Sequence, residues 1–217
     1  MLAKVEIFEM LAARKNFYQF LHKLFYAPLD AQTIDSFLQY VDIEGLEELG
    51  NGGKLLQEFF HGPINSSVEA AEFTRLFIGP GPMPAPPWES FYTGREQLLF
   101  DESMYLVREQ YYLAGLKFVK ENNEPDDHLL LELEFMIHLI TKSLELTEQK
   151  QLNDCLEKQR LFLMNHLGRW IGEFAKKLVD CTNSKLYKGA GFLAMDFIIN
   201  DMESLRELMG GMANVKK

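Results

Sequence analysis

Phe73-Thr74-Arg75-Leu76-Phe77-Ile78-Gly79-Pro80-Gly81-Pro82-Met83-Pro84-Ala85-Pro86-Pro87-Trp88-Glu89-Ser90 is the stretch on which the reading of this chain turns. It carries five of the eight prolines. An apolar segment of helical period runs into Gly-Pro-Gly-Pro and then into a loop that ends on a tryptophan and a glutamate. Proline fixes φ and has no N–H to donate, so neither a helix nor a central strand continues through this loop. A flexible linker would be rich in glycine and serine, whereas this one is stiff and carries an aromatic ring. Its composition suits a support that holds Trp88 and Glu89 in place.

Outward from the loop the sequence reads as helix. Ile7, Leu11, Tyr18, Leu21 and Phe25 recur at helical spacing, with Arg14, Lys15 and Lys23 expected off that face. The pattern predicts one long helix ending before Pro28. Asp30 is a cap for a second helix carrying Ile34, Phe37, Leu38 and Val41, and Leu46 and Leu49 extend a short third piece. Gly50-Asn51-Gly52-Gly53 reads as a break. Leu55, Leu56, Phe59 and Phe60 form the next helix, closed by Gly62-Pro63. Ser66 with Glu69 fits a capping box for the helix that leads into the proline loop.

Beyond the loop, Asp101 or Ser103 opens a helix with Met104, Val107, Tyr111, Ala114 and Phe118 as its buried stripe. Pro125 and the acidic residues after it suit a helix start, where the macrodipole favours negative charge. That helix would bury Leu129, Leu133, Met136, Ile137, Ile140 and Leu144. Amphipathic stretches follow at Leu152 to Leu167, Trp170 to Val179 and Leu186 to Leu208, and the residues from Gly210 look frayed. No segment alternates like a strand and nothing repeats with a period of 20 to 50 residues. The expected fold is all-α, a bundle of about eight to ten helices with one long irregular, Pro-rich loop. A connection of that length in a compact domain is usually functional or disordered, and its stiffness speaks against disorder.

Bulk properties narrow the function. The 217 residues are 47% hydrophobic and 25% charged, ordinary for a globular protein long enough to bury a full core. A net charge of -10 disfavours nucleic acid as a partner and is compatible with a basic peptide. Cys155 and Cys181 fall in separate predicted helices without a C-x-x-C motif. That speaks against a zinc site or a redox dithiol and favours reduced thiols in the cytoplasm, although spacing alone leaves a disulfide open. The start of the chain lacks the apolar run of a signal peptide or anchor, and the longest apolar run, Gly189 to Ile199, is interrupted by Asp196 and too short to span a bilayer.

Few residues here can carry chemistry. His128 with Glu132 and Glu134 with His138 lie one helical turn apart, and each pair could in principle bind metal or move a proton. A di-iron bundle needs Glu-x-x-His motifs with further glutamates, and neither pair has that spacing. The plainer reading has Asp126 and Asp127 capping a helix while His128 donates a hydrogen bond in its first turn, worth about 0.5–2 kcal/mol without any ligand. Walker A, G-x-G-x-x-G and G-x-S-x-G motifs are absent, and Gly79-Pro80-Gly81-Pro82 lacks the N–H groups of a phosphate cradle. Arg75 and Arg108 read as structural ion-pair partners. Trp88 either fills a core gap beneath the loop or lines an apolar groove with Glu89 at its polar edge. Tyr26, Tyr92, Tyr111 and Tyr112 are core or groove residues that spacing does not separate.

Five motifs follow one another in order: Arg75-Leu76-Phe77-Ile78-Gly79-Pro80-Gly81, Pro86-Pro87-Trp88-Glu89-Ser90-Phe91-Tyr92, Val107-Arg108-Glu109-x-Tyr111, Glu124-Pro125-Asp126-Asp127-His128 and Glu132-Leu133-Glu134-Phe135-Met136. In this the chain resembles the TorD/DmsD family of molybdoenzyme-specific chaperones, also called redox enzyme maturation proteins. The motif-bearing part covers about residues 73 to 138, within a single all-helical domain over 1–217. The resemblance implies a cytoplasmic, non-enzymatic chaperone. Such a protein binds the twin-arginine signal peptide of a molybdenum-cofactor enzyme, such as a dimethyl sulfoxide or trimethylamine N-oxide reductase, and delays export until the cofactor is loaded. Carried over by motif, Leu76, Phe77, Trp88, Pro125, Asp127 and His128 belong to the peptide site, and Tyr26 is matched less closely. Some members bind guanine nucleotide weakly and some form domain-swapped dimers, so monomer and swapped dimer both stay open. The sequence itself requires no cofactor, metal, nucleic acid or membrane insertion.

The residues lead the same way. A twin-arginine signal has a basic end followed by an apolar segment, so its receptor needs an apolar groove with acidic groups at one end. Leu76, Phe77 and Trp88 can supply the first, and Asp126, Asp127 and Glu89 the second by pairing with guanidinium groups. Two other readings stay open at this point: an enzyme using His128 with neighbouring carboxylates, and a helical adaptor for another protein.

Overall fold

Pro28 stops the first helix where the sequence places the stop: α1 spans Lys4–Tyr26 and buries Ile7, Leu11, Tyr18, Leu21 and Phe25. The structure, a computed structural model, describes residues 4–94 and 101–213. Its other helices are α2 (Ala31–Tyr40), a 3-10 turn (Glu44–Leu49), α3 (Gly50–His61), α4 (Ser66–Phe77), α5 (Glu89–Thr93), α6 (Glu102–Leu113), α7 (Leu129–Glu145), α8 (Gln149–Asn165), α9 (Leu167–Cys181) and α10 (Lys185–Ala213). Among the described residues there is no strand, only isolated bridges at Trp88–His128 and Glu121–Glu124. The fold is all-α.

Local details differ from the sequence reading in instructive ways. Asp30 does cap α2, its Oδ1 accepting from the Thr33 N–H at 2.7 Å, but Leu38 faces solvent. Gly50-Asn51-Gly52-Gly53 is no break: it forms the first turn of α3. A Cβ on Gly53 would sit 1.7 Å from the Leu46 carbonyl oxygen, so glycine is required there for close approach rather than for a bend. Asn65, not Ser66, caps α4, accepting from the Val68 N–H at 3.3 Å, while Glu69 turns away to accept from the Ser184 hydroxyl at 2.6 Å. Asp101 caps α6, which ends at Leu113, so Phe118 lies beyond its stripe. α10 continues through Gly210 to Ala213.

The described chain divides into two compact units. One takes 4–22, 88–94, 101–170 and 198–213; the other takes 23–87 and 171–197. Three boundaries fall inside α1, α9 and α10 and the fourth at the end of the proline loop. The second unit is built on an aromatic cluster in which Phe77 meets Phe73, Phe25, Tyr187 and Phe174 at centroid distances of 5.1 to 6.4 Å. Its proline loop folds back on α4: the Ala85 N–H donates to the Leu76 carbonyl at 3.4 Å and Ala85 is buried. The loop turns through Gly79 and Gly81, whose φ values of 101° and 115° favour glycine, with a cis Gly79-Pro80 bond between them.

The first unit packs α6, α7 and α8 through Tyr111, Phe135 and Phe162, with Phe135–Phe162 centroids 4.7 Å apart. It also contains a buried polar network around Arg14, which the sequence reading set off the apolar face although its position, three residues after Leu11 and four before Tyr18, falls on that stripe. Arg14 is buried, its guanidinium donating to both Asp201 oxygens at 2.5 and 2.8 Å and to Gln159 at 2.7 Å. Tyr18 donates to Asp201 at 2.7 Å, and Gln159 donates to Ser143 at 2.8 Å. A charge is tolerated there because it is paired and its hydrogen bonds are filled.

Candidate functional site

In the first unit the chain emerges from the proline loop in extended conformation at Trp88, with φ -127° and ψ 135°. Extended backbone with an available N–H and C=O pairs with any neighbour in the same state, and the segment before α7 provides one. Trp88 and His128 form an antiparallel bridge, supported by the Glu89 N–H donating to the Asp127 carbonyl at 3.0 Å. Their rings meet edge to face, centroids 5.1 Å apart and planes at 81°. Both side chains are half-buried. Two motifs separated by 40 positions in sequence are thus joined through backbone and side chain together.

His128 is itself the cap of α7. Its Nδ1 accepts from the Leu130 N–H at 3.1 Å, the reverse of the donor role expected for it. That fixes the neutral tautomer with the proton on Nε2. Burial lowers its pKa to about 4, against the opposing pull of Glu124 and Glu134. The ring is neutral across the physiological range.

Asp126 and Asp127 do not cap α7. Asp126 is fully buried and takes a bidentate pair from Arg108, at 3.0 Å from Nε and 2.8 Å from Nη2, while Arg108 Nη1 donates to Asn122 at 3.0 Å. The guanidinium partner expected for this carboxylate is supplied within the protein. Tyr111 ties the same turn down by donating to the Asp126 carbonyl at 3.1 Å. Asp127, also fully buried, accepts from the Ser90 N–H at 2.6 Å in the first turn of α5, and its Oδ1 has no partner among the described residues. Pro125 is buried just ahead of them.

Glu89 lies inside the unit rather than at the polar edge of a groove. It is fully buried, one oxygen 3.1 Å from His166 Nδ1 and the other without a partner among the described residues. Glu132 is buried alongside: it accepts from the Trp170 indole N–H at 3.2 Å and makes no side-chain bond with His128. Burial raises the pKa of all three carboxyls, Glu132 most, and the Glu132 shift is reinforced by Glu89 and Asp127. Sequence reasoning missed this cluster and its partners His166, Ser90 and Trp170. One signal was present: Glu132 falls on the apolar stripe of α7, between Leu129, Leu133 and Met136, where an acid has no solvent.

Glu134 does not pair with His138; its carboxylate lies 2.9 Å from His22 Nε2. No three His, Cys, Asp or Glu side chains among the described residues converge as metal ligands. Leu76 and Phe77 are core residues of the second unit, and Tyr26 in that unit is 65% exposed. A cavity of ≈890 Å³ also lies there, at Arg75, Cys181 and Ser184. Its charged groups are already paired: Arg75 with Glu72 at 2.7 Å and the Cys181 carbonyl at 2.7 Å, Glu69 with Ser184. Arg75 and Arg108 are both ion-pair partners, as expected. Cys155 and Cys181 are both free thiols. No described helix is long and apolar enough to cross a membrane.

Comparison with known proteins places these features in context. Residues 47–176 match the family described as nitrate reductase delta subunit. The chain is 30% identical over 205 residues to the chaperone protein TorD of Vibrio cholerae, covering 90% of this chain and 93% of that one. It is 32% identical over 120 residues to the Tat proofreading chaperone DmsD of Salmonella typhimurium, covering 55% of this chain and 53% of that one. A crystal structure described as a candidate redox enzyme maturation protein from Archaeoglobus fulgidus superposes with a TM-score of 0.52 over 82% of this chain and 90% of the other. At 22% identity that likeness speaks to the fold alone.

Proposed function

The chain belongs to the TorD/DmsD family of redox-enzyme chaperones, and from that premise we propose that it binds the twin-arginine signal peptide of a molybdoenzyme precursor at the Trp88–His128 junction. Its relatives are named as chaperones, and this chain is accordingly a maturation chaperone for a molybdoenzyme and not an enzyme. The client is a precursor of the dimethyl sulfoxide or trimethylamine N-oxide reductase kind, held in the cytoplasm before export.

The observation that carries the reading is the contact of Trp88 with His128, which joins the two motifs at one half-buried surface. An arginine side chain stacks on the exposed part of an indole at about 0.5–2 kcal/mol, more as water is excluded. Neutral His128 keeps no repelling charge there and has its Nε2–H available to a peptide carbonyl. Asp127 and Glu89, the buried neighbours of these two residues in the chain, would have their charged forms favoured by a cationic ligand, against the burial that raises their pKa. Asp127 Oδ1 is an acceptor in the Glu-Pro-x-Asp-His motif with no partner among the described residues. Asp126, held by Arg108, positions the turn. Leu76 and Phe77 keep a packing role in the second unit's core.

Co-expression with a molybdoenzyme precursor tests the proposal. Co-purification that is lost when the signal peptide is deleted, or when its two arginines become glutamine, supports it. Equal recovery of precursor and signal-less enzyme contradicts it.

A further inference from the structure

Further along α7 from His128 the first unit has a cavity of ≈380 Å³, whose apolar walls are Tyr111, Leu116, Phe118, Val119, Leu131 and Phe135. We propose that this cavity receives an apolar side chain of the segment that follows the paired arginines, so that one continuous face of α7 binds both parts of the signal. This rests on the function proposed above and adds a subsite to it.

The placement follows from helix geometry. His128, Leu131, Phe135 and His138 recur at intervals of three and four, so they form one stripe along α7. The rise from His128 to His138 is about 15 Å. An extended peptide covers that distance in about four or five residues, the spacing that brings the start of an apolar segment to the cavity when the arginines are at Trp88. His22 and Glu134, 2.9 Å apart, border the path between the two.

The walls suit this occupant. Most of the lining is aliphatic or aromatic, with Lys117, Glu134 and His138 as its polar members, and the volume falls in the range of small-ligand pockets, enough for one or two large apolar side chains. Among the lining residues Val119 is 97% exposed, an apolar side chain open to a partner. Polar groups are few and suitably placed. His138 Nε2 is shielded from solvent and has no partner among the described residues, which leaves it for a peptide backbone group. Glu124, paired with Lys120, and Glu134, beside His22, both act on His128, while Lys117 lies at the cavity, so the acidic groups face the end of the path where the basic end of the peptide would sit. A purely apolar partner would not need them, and a nucleic acid would be repelled.

Titration calorimetry with two synthetic peptides decides the matter. One carries the paired arginines and the natural apolar segment; the other keeps the arginines but has serine and asparagine in place of the apolar residues. The protein is used as wild type, Val119→Asp, Leu131→Asn and Trp88→Ala; Val119 is so exposed that its replacement leaves the fold intact. The expected result is a loss of at least about tenfold in affinity for the apolar peptide in Val119→Asp and Leu131→Asn, with little change for the serine-asparagine peptide. If both cavity variants bind the apolar peptide like wild type while Trp88→Ala loses it, the subsite is overturned and the function stands. If wild type binds neither peptide, the function and the subsite fall together.

Discussion

Trp88 and His128 stand edge to face across an antiparallel bridge, ring centroids 5.1 Å apart, and burial at this junction keeps the histidine neutral. With its folded pKa lowered to about 4 from 6.5, His128 takes up a proton less readily folded than unfolded. The unfolded chain therefore binds more protons between pH 6.5 and about 4, and folding stability falls as pH falls through that window. The shift corresponds to roughly 2–3 kcal/mol when allowance is made for partial exposure. Following the His128 ring resonances by NMR should give a midpoint near 4; a midpoint at 6.5 would mean the ring is not held as described.

The buried carboxyl cluster has the opposite sign. Glu132, raised well above its ordinary range by burial and by Glu89 and Asp127, keeps its proton in the folded state after the unfolded chain has released it. Stability is lost as pH rises from the ordinary carboxyl range toward the raised folded value. Glu132→Gln retains an acceptor for the Trp170 N–H and removes the ionisable group. Its melting temperature should exceed wild type by a few degrees at pH 8, about 2–4 °C per kcal/mol for a chain of this size, and the gain should shrink toward pH 4.5. An equal gain at both pH values would show that the cluster's ionisation is not the cause.

Breaking the Arg108–Asp126 pair leaves a buried charge without its partner. Arg108→Met alone should destabilise by about 3–5 kcal/mol in urea unfolding followed by circular dichroism. Arg108→Met combined with Asp126→Leu should recover much of that loss, because neither charge then remains buried. Near-wild-type stability of the single variant would contradict the buried bidentate geometry.

Two glycines in helices should respond in opposite directions to alanine. Gly53→Ala drives a methyl to 1.7 Å from the Leu46 carbonyl oxygen, and overpacking of that kind costs about 1–3 kcal/mol or more. At Gly172 in α9 an added Cβ meets nothing within 4 Å, so Gly172→Ala should gain about 0.5–1 kcal/mol from helix propensity. Thermal melts of the pair check both signs at once.

Much of the fold was legible because it depends on local chemistry. Pro28 stops α1, Asp30 caps α2 and Asp101 caps α6, all decided within a few residues of sequence. What was misread depends on distant atoms. Arg14 was assigned to the surface from its charge, but Asp201 sits 187 positions away to receive it. The glycines at 50–53 were read as a break from composition, whereas Gly53 is small because the Leu46 carbonyl comes close. Ser66 was read as the cap of α4 on the strength of Glu69, but Glu69 is engaged by Ser184 and Asn65 takes the cap position. In the site, the family resemblance identified Trp88 and His128, but spacing could not show that they touch. Nor could it show that Asp126 is satisfied internally and Glu89 is enclosed, since both facts require Arg108 and His166 in place.

The most direct test of the account is calorimetric titration of a twin-arginine signal peptide into wild type, Trp88→Ala and His128→Ala. The account predicts binding by wild type and a loss of about 2 kcal/mol or more, some thirtyfold in affinity, in each variant with the helical circular dichroism preserved. Wild-type affinity in both variants would contradict it.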